Sequence, residues 1–178
     1  MQKYIAGFED NGYVLDKAKS DVPSGATIEF NESTQTFNIY FTHGTTTTTQ
    51  TSTVTQTINY QYSNGKQAAT PHTATITFSR TATRDNVTNQ YTYGQWTSST
   101  NEFPAVTSPT ITGYTASVSV VPAVTDVEEG DTIAPTTVIY TPIQESVTVK
   151  YVDDTTGQLI TSVTLKGNYG STSDYSTK

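Results

Sequence analysis

From Thr53 to Tyr62 the chain alternates, with Val54, Ile58, Tyr60 and Tyr62 on one face and Thr53, Thr55, Thr57, Asn59 and Gln61 on the other. A period of two with one apolar face predicts a half-buried strand. Ser63-Asn64-Gly65-Lys66 follows, and its Asn-Gly pair predicts a type I′ hairpin turn. The return chain repeats the alternation through Ala74, Ile76 and Phe78, and again at Tyr91 and Tyr93. Further strands are predicted near residues 115–121 and 136–140, and over 146–152, where Val147, Val149 and Tyr151 share a face. Asp153 to Gly157 then make a turn, and residues 158–165 return.

The pattern differs towards both termini. Tyr4, Ile5 and Phe8 stand at helical spacing, and Asn11-Gly12 is a helix stop, because glycine accepts the left-handed cap conformation. Short strands are predicted over 13–15, 26–30 and 36–41, with turns at Pro23-Ser24-Gly25 and Asn31-Glu32-Ser33. The threonines from Thr45 to Thr49 have no apolar face and read as a linker or as the start of a new strand. Ser171 and Asp174 match a capping box and predict a helix start. Residues 96–113 form an irregular polar stretch containing Pro104 and Pro109.

Composition narrows the class. The 178 residues include 39 threonines and 12 tyrosines but no cysteine, with 33% hydrophobic and 14% charged residues. Threonine, tyrosine and valine favour pleated, half-exposed strands, so the chain reads as a polar, mainly β (α+β) protein. Only nine Lys plus Arg against a net charge of −7 argue against nucleic acid as a partner. No run of 18 apolar residues is present, so no helical membrane insertion is expected. Without cysteine there are no thiolate metal sites, thiol nucleophiles or disulfides. Met1-Gln2-Lys3 carries no signal-peptide pattern and reads as the start of an excised fragment.

Candidate chemistry is sparse. His43 and His72 are the only histidines, and neither marks a nucleophile, so no catalytic residue is assigned and an enzyme is not expected. Asp126, Glu128, Glu129 and Asp131 surround Gly130 and offer the oxygen donors that calcium takes. Their spacing is not that of an EF-hand, and a solvated loop is the plainer reading. Cofactors are otherwise not expected. Tyrosine is the informative type: amphipathic aromatics serve binding surfaces as well as thin sheet cores. Trp96 beside its Ser-rich stretch, with Tyr91, Tyr93 and Tyr114, forms the candidate ligand-binding set.

Two segments carry a family resemblance. Val149-Lys150-Tyr151-Val152-Asp153-Asp154-Thr155-Thr156-Gly157, with Leu165-Lys166-Gly167-Asn168-Tyr169-Gly170, resembles the opening of a MucBP (mucin-binding) domain. Tyr4, Asn11-Gly12-Tyr13-Val14 and residues 35–44 resemble the remainder of such a domain. The middle, with Gly94-Gln95-Trp96 and Val138-Ile139-Tyr140-Thr141-Pro142, is similar to the second module of Mub repeats in lactobacillar mucus-binding surface proteins.

The resemblance implies β-grasp (ubiquitin-like) modules in an elongated two-domain repeat. Residues 1–44 would be the back part of one MucBP-like domain, 45–142 a complete second module, and 143–178 the front part of the next domain. It implies a repeat of an extracellular adhesin on the surface of a Gram-positive bacterium, wall-anchored in the full-length protein, binding mucin glycoproteins of host mucus. Immunoglobulins captured at a sheet edge, or a passive spacer role in a stalk, are the alternatives. The divided halves would complement head to tail between molecules.

Overall fold

The computed structural model describes residues 2–22, 34 and 36–176 of the chain. The expected strand over 26–30 and the turns on either side of it lie outside the described residues. The chain forms two compact units, one of residues 1–52 and 77–99, the other of 53–76 and 100–178.

In the first unit, α1 (Gln2–Glu9) ends where the sequence predicts. The amides of Asp10, Asn11 and Gly12 donate to the carbonyls of Ala6, Phe8 and Glu9, closing the last turn. β1 (Tyr13–Leu15) pairs antiparallel with β2 (Phe41–His43). Phe8, Tyr13 and Phe41 cluster with ring centroids 5.0–6.4 Å apart, joining helix to sheet. The strand expected over 36–41 is corrected: it begins only at Phe41. Ahead of it the backbone of Asn38 and Tyr40 is engaged by Asp16, Ser20 and Asp21, which divert it from a ladder.

The threonine run is the start of β3 (Thr45–Tyr62), not a linker. β3 pairs with β4 (Gln67–Asp85), and both strands contribute to each unit. Their connection also differs from expectation. The Gly65 amide donates to the Tyr62 carbonyl (2.9 Å), the Tyr62 amide donates to the Lys66 carbonyl (2.8 Å), and Gly65 alone has positive φ, at 82°. A type I′ turn needs two such residues; this is a three-residue loop ending in a glycine bulge, a geometry that serves the same Asn-Gly signal.

The sheet order is β5 (Tyr91–Tyr93), β4, β3, β9 (Thr136–Pro142), β7 (Tyr114–Ala116). β3 and β9 run parallel at the centre, pairing Tyr60 with Val138 and Tyr62 with Tyr140. A parallel central pair flanked by antiparallel neighbours is the strand plan of a β-grasp. Irregular chain replaces its helix, with β6 (Val106–Thr107) and β8 (Val120–Val121) as a short ribbon. In the second unit Ile58, Tyr60, Val121, Val138 and Tyr140 are buried together. The Tyr140 hydroxyl donates to the Pro109 carbonyl (2.6 Å), so the largest buried side chain ties the irregular crossover to the sheet. Burial pushes its phenol pKa up.

β10 (Gln144–Val152) and β11 (Leu159–Asn168) form a separate two-stranded sheet, joined by the Asp153 turn. The Asp153 carboxylate accepts the amides of Thr155 and Thr156, which hold its pKa below the usual range. The helix expected from the capping box is absent over residues 171–176. Ser171 donates its hydroxyl to the Asn168 carbonyl instead, and the Tyr175 hydroxyl meets that of Tyr151. A helical nucleus fixes several dihedrals for one hydrogen bond, and these local partners outcompete it.

Candidate functional site

β4 places Phe78, Arg80, Ala82 and Arg84 on one face by strict alternation. Across the ladder β5 sets Tyr93 opposite Ala82 and Tyr91 opposite Arg84. The two tyrosines therefore share a face two residues apart, and their rings lie 6.0 Å apart and 9° from parallel. The Arg80 guanidinium carbon sits 4.1 Å from the Tyr93 ring centre and 4.5 Å from that of Trp96. Tyr91, Tyr93, Arg80 and Trp96 are thus linked in one row, two stacked rings and a guanidinium against Tyr93 and Trp96. Buried Phe78 and Ala82 support it from the same strand face.

The chain after β5 delivers the last ring. The Gly94 amide donates to the Thr81 carbonyl (2.9 Å), and Ser79 and Thr97 exchange two backbone bonds. A Cβ on Gly94 would lie 2.6 Å from Thr81 Oγ1 but 3.7 Å from the Thr81 backbone, so a larger residue here requires the Thr81 side chain to turn away. Arg80 is fixed at its other end, where Nε donates to Gln50 Oε1 (2.9 Å) on β3. Arg84 is held by the Asn89 side-chain oxygen. Tyr91 is 51% exposed and Tyr93 48%, while Trp96 and Arg80 are half-buried.

Of the four expected ligand-binding residues, the structure brings Tyr91, Tyr93 and Trp96 together. Tyr114 belongs to the second unit, where its ring packs 4.7 Å from Tyr62 and 6.0 Å from Tyr169 beside the core. Sequence reasoning missed Arg80. Its signal was available: it is one of two arginines in the chain, in register with Phe78 and Ala82 on an apolar face.

The other candidates have structural partners. His43 Nδ1 lies 2.7 Å from Asp85 Oδ2. The amides of Val87 and Thr88 also donate to Asp85, and the Thr88 bond first, then His43, lowers its pKa to about 2. In the acidic loop the Asp131 carboxylate accepts the Glu128 amide (2.8 Å), and Thr125 donates to Asp126. The carboxylates of Asp126 and Asp131 thus bond within the loop, and among the described residues no group of three or more His, Asp or Glu is placed to hold a metal ion.

This is a strand-built module with an exposed aromatic row, and comparison gives its family. Residues 45–144 match the Muc B2-like domain, and residues 145–178 match the mucin binding domain. The chain belongs to the Muc B2-like domain family. It is similar to the crystal structure of Mub-RV, at 30% identity and a TM-score of 0.65, over 80% of this chain and 81% of that one. It is also similar to the type 2 repeat of the mucus binding protein MUB from Lactobacillus reuteri, at 34% identity and a TM-score of 0.50, over 80% and 82% of the two chains. No curated protein matches the chain.

Proposed function

We propose that the chain is a mucus-binding repeat of a bacterial cell-surface adhesin, acting as a binding module rather than an enzyme, and that the Tyr91–Tyr93–Arg80–Trp96 row contacts mucin glycans. The observation that carries this is the exposed row itself, in a chain similar to a repeat of a mucus binding protein. Aromatic planes pair with the apolar faces of sugars, and tyrosine hydroxyls at the rim hydrogen-bond their hydroxyl groups. Within the row the rings are partly engaged with one another and with Arg80, and their exposed parts are left for a ligand. Such a site is weak singly, and tandem copies raise avidity without any new contact.

The proposed organisation keeps 45–142 as a complete module, flanked by MucBP-like portions at 1–44 and 143–178. Two further observations favour additional contacts. β5 is an edge strand, open to pairing with a strand of an immunoglobulin. Among the described residues β10 pairs only with β11, and Val147, Leu159 and Ile160 on this hairpin are largely exposed, which favours self-association through the terminal portions.

Surface-immobilised mucin tests the main reading. The chain should bind it, and periodate oxidation of the glycans should abolish binding. Retained binding after periodate would move the contact to protein, and immunoglobulin probed in parallel would identify the edge-strand partner. Binding to neither would leave the spacer role.

A further inference from the structure

The charge distribution of the aromatic row runs against that of the chain. The protein carries a net charge of −7, yet its only two arginines, Arg80 and Arg84, stand on one face of β4 beside Tyr93 and Tyr91. In the segments that build this surface, residues 45–52 and 77–99, the sole acid is Asp85. Asp85 follows Arg84 on the strand, so it points to the opposite face, where it pairs with His43. Neither arginine forms an ion pair among the described residues.

Arg80 is the more constrained of the two. Its guanidinium lies against the rings of Tyr93 and Trp96, and its Nε is bound to Gln50. The edge carrying the two Nη groups makes no hydrogen bond among the described residues. A planar donor fork held in fixed orientation and left unpaired suits a bidentate oxyanion. The two rings beside it displace water from a cation that is already weakly hydrated. The anion that costs least to bring there is itself weakly hydrated. A sulfate monoester spreads one charge over three oxygens and holds its water less tightly than a carboxylate with two. The same rings add a surface for the sugar that bears the group.

We infer that Arg80 reads a sulfate ester on a sugar, with Tyr93 and Trp96 packed against its guanidinium and Arg84 adding positive potential from the same strand face. The inference rests on the glycan-binding reading of this surface and names the ligand class: sulfated rather than neutral glycan. It gives an acidic protein a local means of holding an acidic polymer that its overall charge repels.

Trp96 is the only tryptophan, so its fluorescence reports on this site alone. The whole chain is titrated with N-acetylglucosamine 6-sulfate, with neutral N-acetylglucosamine, and with glucuronic and N-acetylneuraminic acids as carboxylate-bearing sugars. The sulfated sugar should bind at least fivefold tighter than the others, and the difference should shrink as sodium chloride is added. Arg80→Gln should weaken sulfated-sugar binding at least tenfold. Arg80→Lys, which keeps the charge but not the plane or fork, should recover less than half of that loss in free energy, with the circular dichroism spectrum unchanged. Equal binding of sulfated and neutral sugars, tighter binding of a carboxylate, or an Arg80→Gln variant that binds like the parent would overturn the inference. Mucin is not in this experiment, so a failed adhesin reading shows separately, as absent binding to the immobilised glycoprotein.

Discussion

A double-mutant cycle on Arg80 and Trp96 measures whether the row is held together as the geometry indicates. Arg80→Met keeps the aliphatic stem and removes the cation, and Trp96→Leu keeps an apolar side chain and removes the π face. The guanidinium carbon is 4.5 Å from the Trp96 ring centre and 4.1 Å from that of Tyr93, at a half-buried position. Such contacts are worth about 0.5–1 kcal/mol when exposed and about 2 kcal/mol when desolvated, so the coupling should be about 1 kcal/mol. Arg80→Met alone should cost more, about 2–3 kcal/mol, because it loses both rings and the charged hydrogen bond to Gln50. Urea unfolding followed by far-UV circular dichroism gives the four stabilities, with m-values checked for constancy. Independent sites add to within about 0.3–0.5 kcal/mol, so a coupling below that range would refute the stacked row.

Three other outcomes follow from the packing. Tyr140→Phe keeps the ring but removes the hydroxyl's hydrogen bond to the Pro109 carbonyl, and should lower stability by about 0.5–1.5 kcal/mol, read as a shift in urea midpoint. Asp85 has a folded pKa of about 2, depressed from 3.8, so its contribution is full above pH 4 and is lost as pH falls towards 2. Acid unfolding should therefore steepen in that window, and Asp85→Asn should flatten it. Gly94→Ala places a methyl group 2.6 Å from Thr81 Oγ1, a contact that a turn of the Thr81 side chain relieves, and should cost about 1 kcal/mol or less in the same urea assay.

Most of the strands were legible because period two is a direct consequence of one buried face. Val54, Ile58, Tyr60, Ile76 and Phe78 all proved to be core. Gln56 shares that face and is buried with its side-chain oxygen unpartnered, a position that binary patterning does not anticipate. What failed in the sequence reading were decisions between local hydrogen-bond partners. Ser171 turned to Asn168 rather than cap a helix, and the chain before Phe41 went to Asp16, Ser20 and Asp21. At the site, Tyr91 and Tyr93 were visible as an i, i+2 pair on one strand face. Arg80 was legible as a cation on the Phe78–Ala82 face, but its meeting with the rings was not, because that depends on the β4–β5 register and on the close passage at Gly94. Tyr114 shows the converse: a tyrosine of the right type is drawn into contact with Tyr62 and Tyr169 by the packing of its own unit.

The central claim is that the aromatic row makes the contact with mucus. Surface plasmon resonance on immobilised purified mucin tests it, comparing the parent chain with a Tyr91→Ala/Tyr93→Ala/Trp96→Ala variant of matching circular dichroism spectrum. The account predicts that the parent binds and that the variant loses at least tenfold in apparent affinity. A variant that binds as the parent does would contradict it and place the contact elsewhere on the chain.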